Sequence, residues 1–126
     1  MFKLQLPPKC PPEKATESDF VLYRIMQGDS LTNTDLLSYA EVKPDRYSSQ
    51  CKAFGISLFS QKNEAEEAYL KAKSRNLILG KYIGKLQIQH SHGKLASQNG
   101  SHFTLWLYSN VDASKIPCLK VFPIED

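Results

Sequence analysis

Residues 53–74 read Ala53-Phe54-Gly55-Ile56-Ser57-Leu58-Phe59, then Ser60-Gln61-Lys62-Asn63, then Glu64-Ala65-Glu66-Glu67-Ala68-Tyr69-Leu70-Lys71-Ala72-Lys73-Ser74. The first seven are mostly apolar, branched or aromatic, which suits a strand. The last eleven read as a helix. Glu64, Glu66 and Glu67 stand at its start and Lys71, Lys73 and Arg75 at its end, the order that the helix dipole favours. Glu67 and Lys71 form an i,i+4 pair. Ala65, Ala68, Tyr69 and Ala72 make a narrow apolar stripe that can lie close on a sheet. A strand that turns directly into an amphipathic helix points to an α+β fold.

Upstream, Phe20-Val21-Leu22-Tyr23-Arg24-Ile25-Met26 reads as a strand that stops at Gln27-Gly28-Asp29. Asp35 to Ala40 reads as a short helix with Asn33 or Thr34 as N-cap, ended by Lys43-Pro44. Residues 45–52 read as a polar connection. Downstream, Lys81 to His90 is a third strand. In it Tyr82, Gly84, Leu86 and Ile88 alternate with Ile83, Lys85, Gln87 and Gln89. Ser91 to Ser101, with Gly93 and Asn99-Gly100, reads as a loop or irregular hairpin. His102 to Tyr108 and Pro117 to Ile124 complete the set, with Pro123 at a strand end or sheet edge. The expected architecture is one compact mixed sheet of about five strands with two helices, the main helix on one face. Residues 18–126 form this domain, and residues 1–17 form a Pro-rich arm.

Composition agrees with a single ordinary soluble domain. The chain has 126 residues, 41% apolar and 23% charged, enough to bury a core without a metal or disulfide staple. Sixteen basic against thirteen acidic residues leave a net charge of +3, small for a dedicated nucleic-acid binder. No apolar run reaches the roughly 18 to 20 residues of a membrane helix, and Met1 to Leu6 is too short for a signal peptide. Cys10, Cys51 and Cys118 are odd in number and widely spaced, so they read as free thiols. These features together place the chain in the cytoplasm.

Two features draw attention as ligand groups. Arg24 shares its strand face with Phe20, Leu22 and Met26. A guanidinium on an apolar face needs an anion or hydrogen-bond acceptors. It either grips a phosphate or carboxylate, or makes an internal salt bridge or snorkels past the sheet edge. In the strand from His102, Phe103, Leu105 and Leu107 point to one side, and His102, Thr104, Trp106 and Tyr108 to the other. That second set can stack on a nicotinamide, base or sugar, or form a second small core under the Pro-rich arm.

Other features have plainer readings. His90-Ser91-His92 with His102 and a cysteine has the makings of a zinc site, but no Asp or Glu lies within this stretch. Exposed loop histidines are the simpler reading, and no metal is expected. Lys71, Lys73, Arg75, Lys81 and Lys85 are accounted for mainly by a solvated helix end. An RNA-contacting face is their alternative reading. Glu125 and Asp126 form an acidic terminus.

The order of these residues resembles the ADP-ribosyltransferase-like fold, including the RES-type toxins that consume NAD. The likeness rests on Tyr23-Arg24 in the first strand, on Gly55-Ile56-Ser57-Leu58-Phe59 in the second with the Glu64-Ala65 helix after it, and on Glu125 near the end. The resemblance implies NAD as substrate, with Arg24 on the diphosphate, Ser57 on the ribose, and Trp106 or Tyr108 stacked on nicotinamide. Glu125 would stabilise the oxocarbenium-like ribose. The chain departs from the pattern: it has no Ser-Thr-Ser after the second-strand glycine, and no Glu or Gln two positions before Glu125. The competing expectation is a non-catalytic module that binds a protein partner or RNA through the aromatic strand face.

Overall fold

The computed structural model describes residues 1–47 and 49–125. Ser48, in the polar connection, and Asp126, in the acidic terminus, lie outside the described residues. Among the described residues six strands form one sheet: β1 (Phe20–Met26), β2 (Ile56–Phe59), β3 (Tyr82–Ile88), β4 (Gly93–Ser97), β5 (His102–Leu107) and β6 (Cys118–Pro123). Their spatial order is β4-β5-β2-β1-β3-β6, and every neighbouring pair runs antiparallel. The two α-helices are α1 (Tyr39–Val42) and α2 (Lys62–Lys73). The fold is α+β, with six strands rather than about five and an antiparallel rather than a mixed sheet.

Period-two alternation decides which side chains go to which face. Leu22, Ile56, Leu58, Leu86, Ile88, Leu105 and Leu107 point to one side and join Leu36, Val111 and Ile116 in the main core. Ile25 and Ile83 point to the other side, where Ala65 and Tyr69 of α2 pack on them. The alanine stripe of α2 lets the helix sit close, as its sequence implies.

Three local readings change. The extra strand, β4, lies in the segment read as a loop, and pairs with β5 from Gly93↔Leu107 to Ser97↔Phe103. Gly93 permits this approach: a Cβ there would lie 2.1 Å from the Trp106 carbonyl oxygen. The helix expected over 35–40 is broken in two. Asn33–Leu36 is a 3-10 turn, and α1 begins only at Tyr39. Each piece has its own cap, because the Asp35 carboxylate accepts from Thr32 N (2.9 Å) and Ser38 Oγ accepts from Glu41 N (3.3 Å). The strand expected from Ala53 starts at Ile56, since Cys51–Phe54 forms another 3-10 turn.

The arm folds back along the β4–β5 end of the sheet. Phe2 bridges Tyr108 and Thr16 bridges Leu95. This course brings Cys10 and Cys51 to a Cα separation of 5.5 Å, and the two form a disulfide. The expectation of three free thiols is therefore corrected: Cys118 is free and exposed, and the other two are joined across 41 residues. No helix among the described residues is long and apolar enough to cross a membrane.

Candidate functional site

β1 and β2 pair at Tyr23↔Phe59. Beyond that point the two strands are linked by a side chain. Arg24 Nη1 donates to the Ser57 carbonyl at 2.8 Å, and Arg24 Nε and Nη2 donate to the Asp35 carbonyl at 3.1 and 2.7 Å. The guanidinium thus ties together β1, β2 and the 3-10 turn at Asn33–Leu36. Burial pushes its pKa below the usual arginine value, with Tyr39 and Asp35 opposing that shift. It remains charged, as arginine does in proteins.

A cavity of about 390 Å³ opens where the strands part. This is within the range of roughly 300–1,000 Å³ found for small-molecule sites. Ile25, Leu37, Val42, Ile56, Phe59 and Leu79 supply apolar walls. Arg24, Ser57, Gln27, Thr34, Asp35 and Tyr39 bring polar groups to the same space. The carboxylate of Asp35 is already committed: Oδ1 accepts from Gln27 N at 2.9 Å, and Oδ2 from Thr32 N and Oγ1 at 2.9 and 3.0 Å.

Arg24 and Ser57, two residues singled out in the sequence, therefore line one cavity. The others do not join them. Trp106 is 1% exposed and packs with Ala15 and Ala96 beneath Phe2, Leu6 and Cys10. Its indole N–H donates to the Cys51 carbonyl at 3.0 Å. Of the two readings of the aromatic strand face, the small core under the arm is the one found for Trp106. Tyr108 stands at the same end, its ring 5.2 Å from Phe2 and its hydroxyl donating to Glu17. Burial and that acceptor push its pKa up to about 12. His102 packs on Phe59 with ring centres 5.4 Å apart; burial, then Lys52, hold its pKa below the usual histidine value. Glu125 is exposed, follows the edge strand β6, and is not part of the cavity wall.

The remaining histidines have local partners. His90 pairs with Asp19 at 3.1 Å. His92 is buried rather than an exposed loop residue; Nδ1 accepts from Gln89 N and Nε2 lies 2.9 Å from the Lys115 carbonyl. Nδ1 is the acceptor, so Nε2 carries the proton.

Asp35, Leu37, Tyr39, Val42 and Leu79 are site residues that the sequence does not single out. One signal for this region was present. Thr32-Asn33-Thr34-Asp35 and Ser38-Tyr39-Ala40-Glu41 each carry a capping-box spacing, and two closely spaced starts imply a bent segment able to wall a cavity. No family model, curated protein or solved structure matches this chain.

Proposed function

We propose that this domain binds a small molecule between β1, β2 and residues 34–42, and does so without transforming it. The observation that carries this reading is the cavity of about 390 Å³, with apolar walls and a few converging polar groups. Among the described residues its wall offers no nucleophile paired with a free base: both oxygens of Asp35 already accept hydrogen bonds, and Glu41, which accepts from Ser38 Oγ, is ion-paired with Lys3. The test is an amide-resonance titration with a mixed library of neutral, cationic and anionic fragments. Shifts at Ile25, Ser57, Phe59 and Ala68 are the expected result. No movement of these resonances at millimolar fragment would overturn the reading.

A second reading is favoured by the meeting of Arg24 and Ser57 in one cavity. It is the NAD-consuming activity that the family resemblance implies. Against it stand the burial of Trp106 and the position of Glu125 outside the cavity wall. Nicotinamide release on incubation with NAD decides between the two. Recognition of a protein or RNA through the aromatic strand face would require the arm to lift from Trp106. A cytoplasmic placement rests on the sequence alone, and the Cys10–Cys51 bond favours surroundings oxidising enough to keep it closed.

A further inference from the structure

Resting on the small-molecule reading above, we infer that the occupant of the cavity is a monoanion, a small carboxylate with an apolar body, and that Arg24 receives its head group. Three of the guanidinium N–H groups donate, and all three go to neutral main-chain carbonyls, those of Asp35 and Ser57. An arginine has five such donors, so two remain. No carboxylate forms an ion pair with Arg24 among the described residues. The nearby carboxylate of Asp35 is turned to Gln27 N and to Thr32.

Arg24 is half-buried, and a guanidinium partly withdrawn from water with no ion-pair partner keeps part of its desolvation cost unmet. Carbonyl dipoles offset part of this, and an anion brought into the same low-dielectric space offsets more. Arg24 therefore gives the cavity a preference for negative charge. It is also the sole basic residue of the wall among the described residues. Asp35 already sets one negative charge on this wall and acts on Arg24 through space, so the wall can meet at most a single carboxylate, whereas a diphosphate would bring more negative charge than it can meet. Ser57, whose hydroxyl makes no hydrogen bond among the described residues, lines the same cavity and adds one uncommitted donor to it. The apolar residues Ile25, Ile56, Phe59 and Leu79 suit the body of the ligand. Leu37, Tyr39 and Val42 are exposed as well as lining, so they form an apolar rim through which such a body can enter.

The experiment is an amide-resonance titration of the intact chain with three probes that share one alkyl body: octanoate, octanamide and octylammonium. Octanoate should move Ile25, Ser57 and Phe59 and bind at least about tenfold more tightly than octanamide, with octylammonium weakest. Arg24→Gln should remove the preference for octanoate. Because Arg24 also joins two strands, a second variant guards against loss of fold. Ala68→Phe fills the cavity from α2 without touching Arg24, and should abolish the octanoate shifts. Equal binding of octanamide and octanoate at these residues overturns the charge assignment and leaves the small-molecule reading in place. The charge assignment falls in the same way if fragments of the mixed library bind there and none of the three probes does. If neither the probes nor the library moves these resonances, the small-molecule reading falls and takes this inference with it.

Discussion

Arg24 and Ser57 belong to adjacent strands and are joined by a side chain: the guanidinium Nη1 donates to the Ser57 carbonyl at 2.8 Å. The same guanidinium holds the Asp35 carbonyl through two further donors. One side chain therefore performs two tasks, replacing ladder bonds between β1 and β2 and setting a charge at the cavity that their separation creates.

Replacing Arg24 by Met should destabilise the fold by about 2 kcal/mol. The carbonyls of Ser57 and Asp35 lose their donors, at about 1–3 kcal/mol for each buried acceptor left unmet. Removal of a desolvated charge and access of water from the cavity offset part of that loss. Urea unfolding with an unchanged slope and a lowered midpoint is the expected result. An unchanged midpoint would show that the guanidinium does not hold the strands.

Stability should fall as pH drops below about 6.5, the ordinary histidine value. Burial holds the pKa of His92 below that value, against the opposing pull of the Lys115 carbonyl and Asp19. The folded protein then binds fewer protons than the unfolded chain in this window, so stability is full above it and is lost as acid is added. Protonation would also set a second N–H against Gln89 N, which now donates to Nδ1. His92→Gln should flatten the dependence without abolishing it, because His102 is shifted in the same direction by burial and by Lys52. Thermal melts from pH 5 to pH 8 measure this, and a variant as steep as the parent would count against the assignment.

Thiol counting under denaturing conditions should find one reactive cysteine before reduction, Cys118, and three after it. Cys51→Ser should lower stability by about 2–4 kcal/mol, the range for a bond closing a loop of this length, while Cys118→Ser should leave it within about 0.5 kcal/mol. Trp106 reports the same event. Its indole is buried against the arm and bonded to the Cys51 carbonyl, so reduction should move its emission to longer wavelength. An emission maximum insensitive to reduction would show that the arm stays in place without the bond.

Gly93→Ala should be among the most damaging small changes. The added methyl would lie 2.1 Å from the Trp106 carbonyl oxygen and 3.0 Å from Leu107 Cα, both backbone atoms that cannot step aside. A loss of about 3 kcal/mol is expected from strain of this kind. Retention of the parental melting temperature would mean that β4 does not approach β5 this closely.

The strand Phe20–Met26 was legible to the residue, because a branched and aromatic run bounded by a glycine turn leaves few alternatives. The main helix was legible from its charges and its alanine stripe, and its true start lies two residues earlier, at Lys62. The short helix was harder to read. Thr32 and Ser38 both offer N-caps, and the break at Leu37 follows from having two of them. β4 was hidden because Gly93 and Asn99-Gly100 are turn signals that say nothing about the chain between them.

The sequence by itself determined the class, the two faces of the sheet, and the fact that Arg24 sits among apolar neighbours and must be met by something. Those properties depend on spacing within a few residues, where periodicity and capping act. The tertiary structure alone decided what meets Arg24, which thiols are joined, and what covers Trp106. Each of those answers pairs residues far apart in the chain: Arg24 with Ser57, Cys10 with Cys51, and Trp106 with Cys51. Such pairs arise from the path of the arm and from the point at which β1 and β2 part, and no local pattern records either.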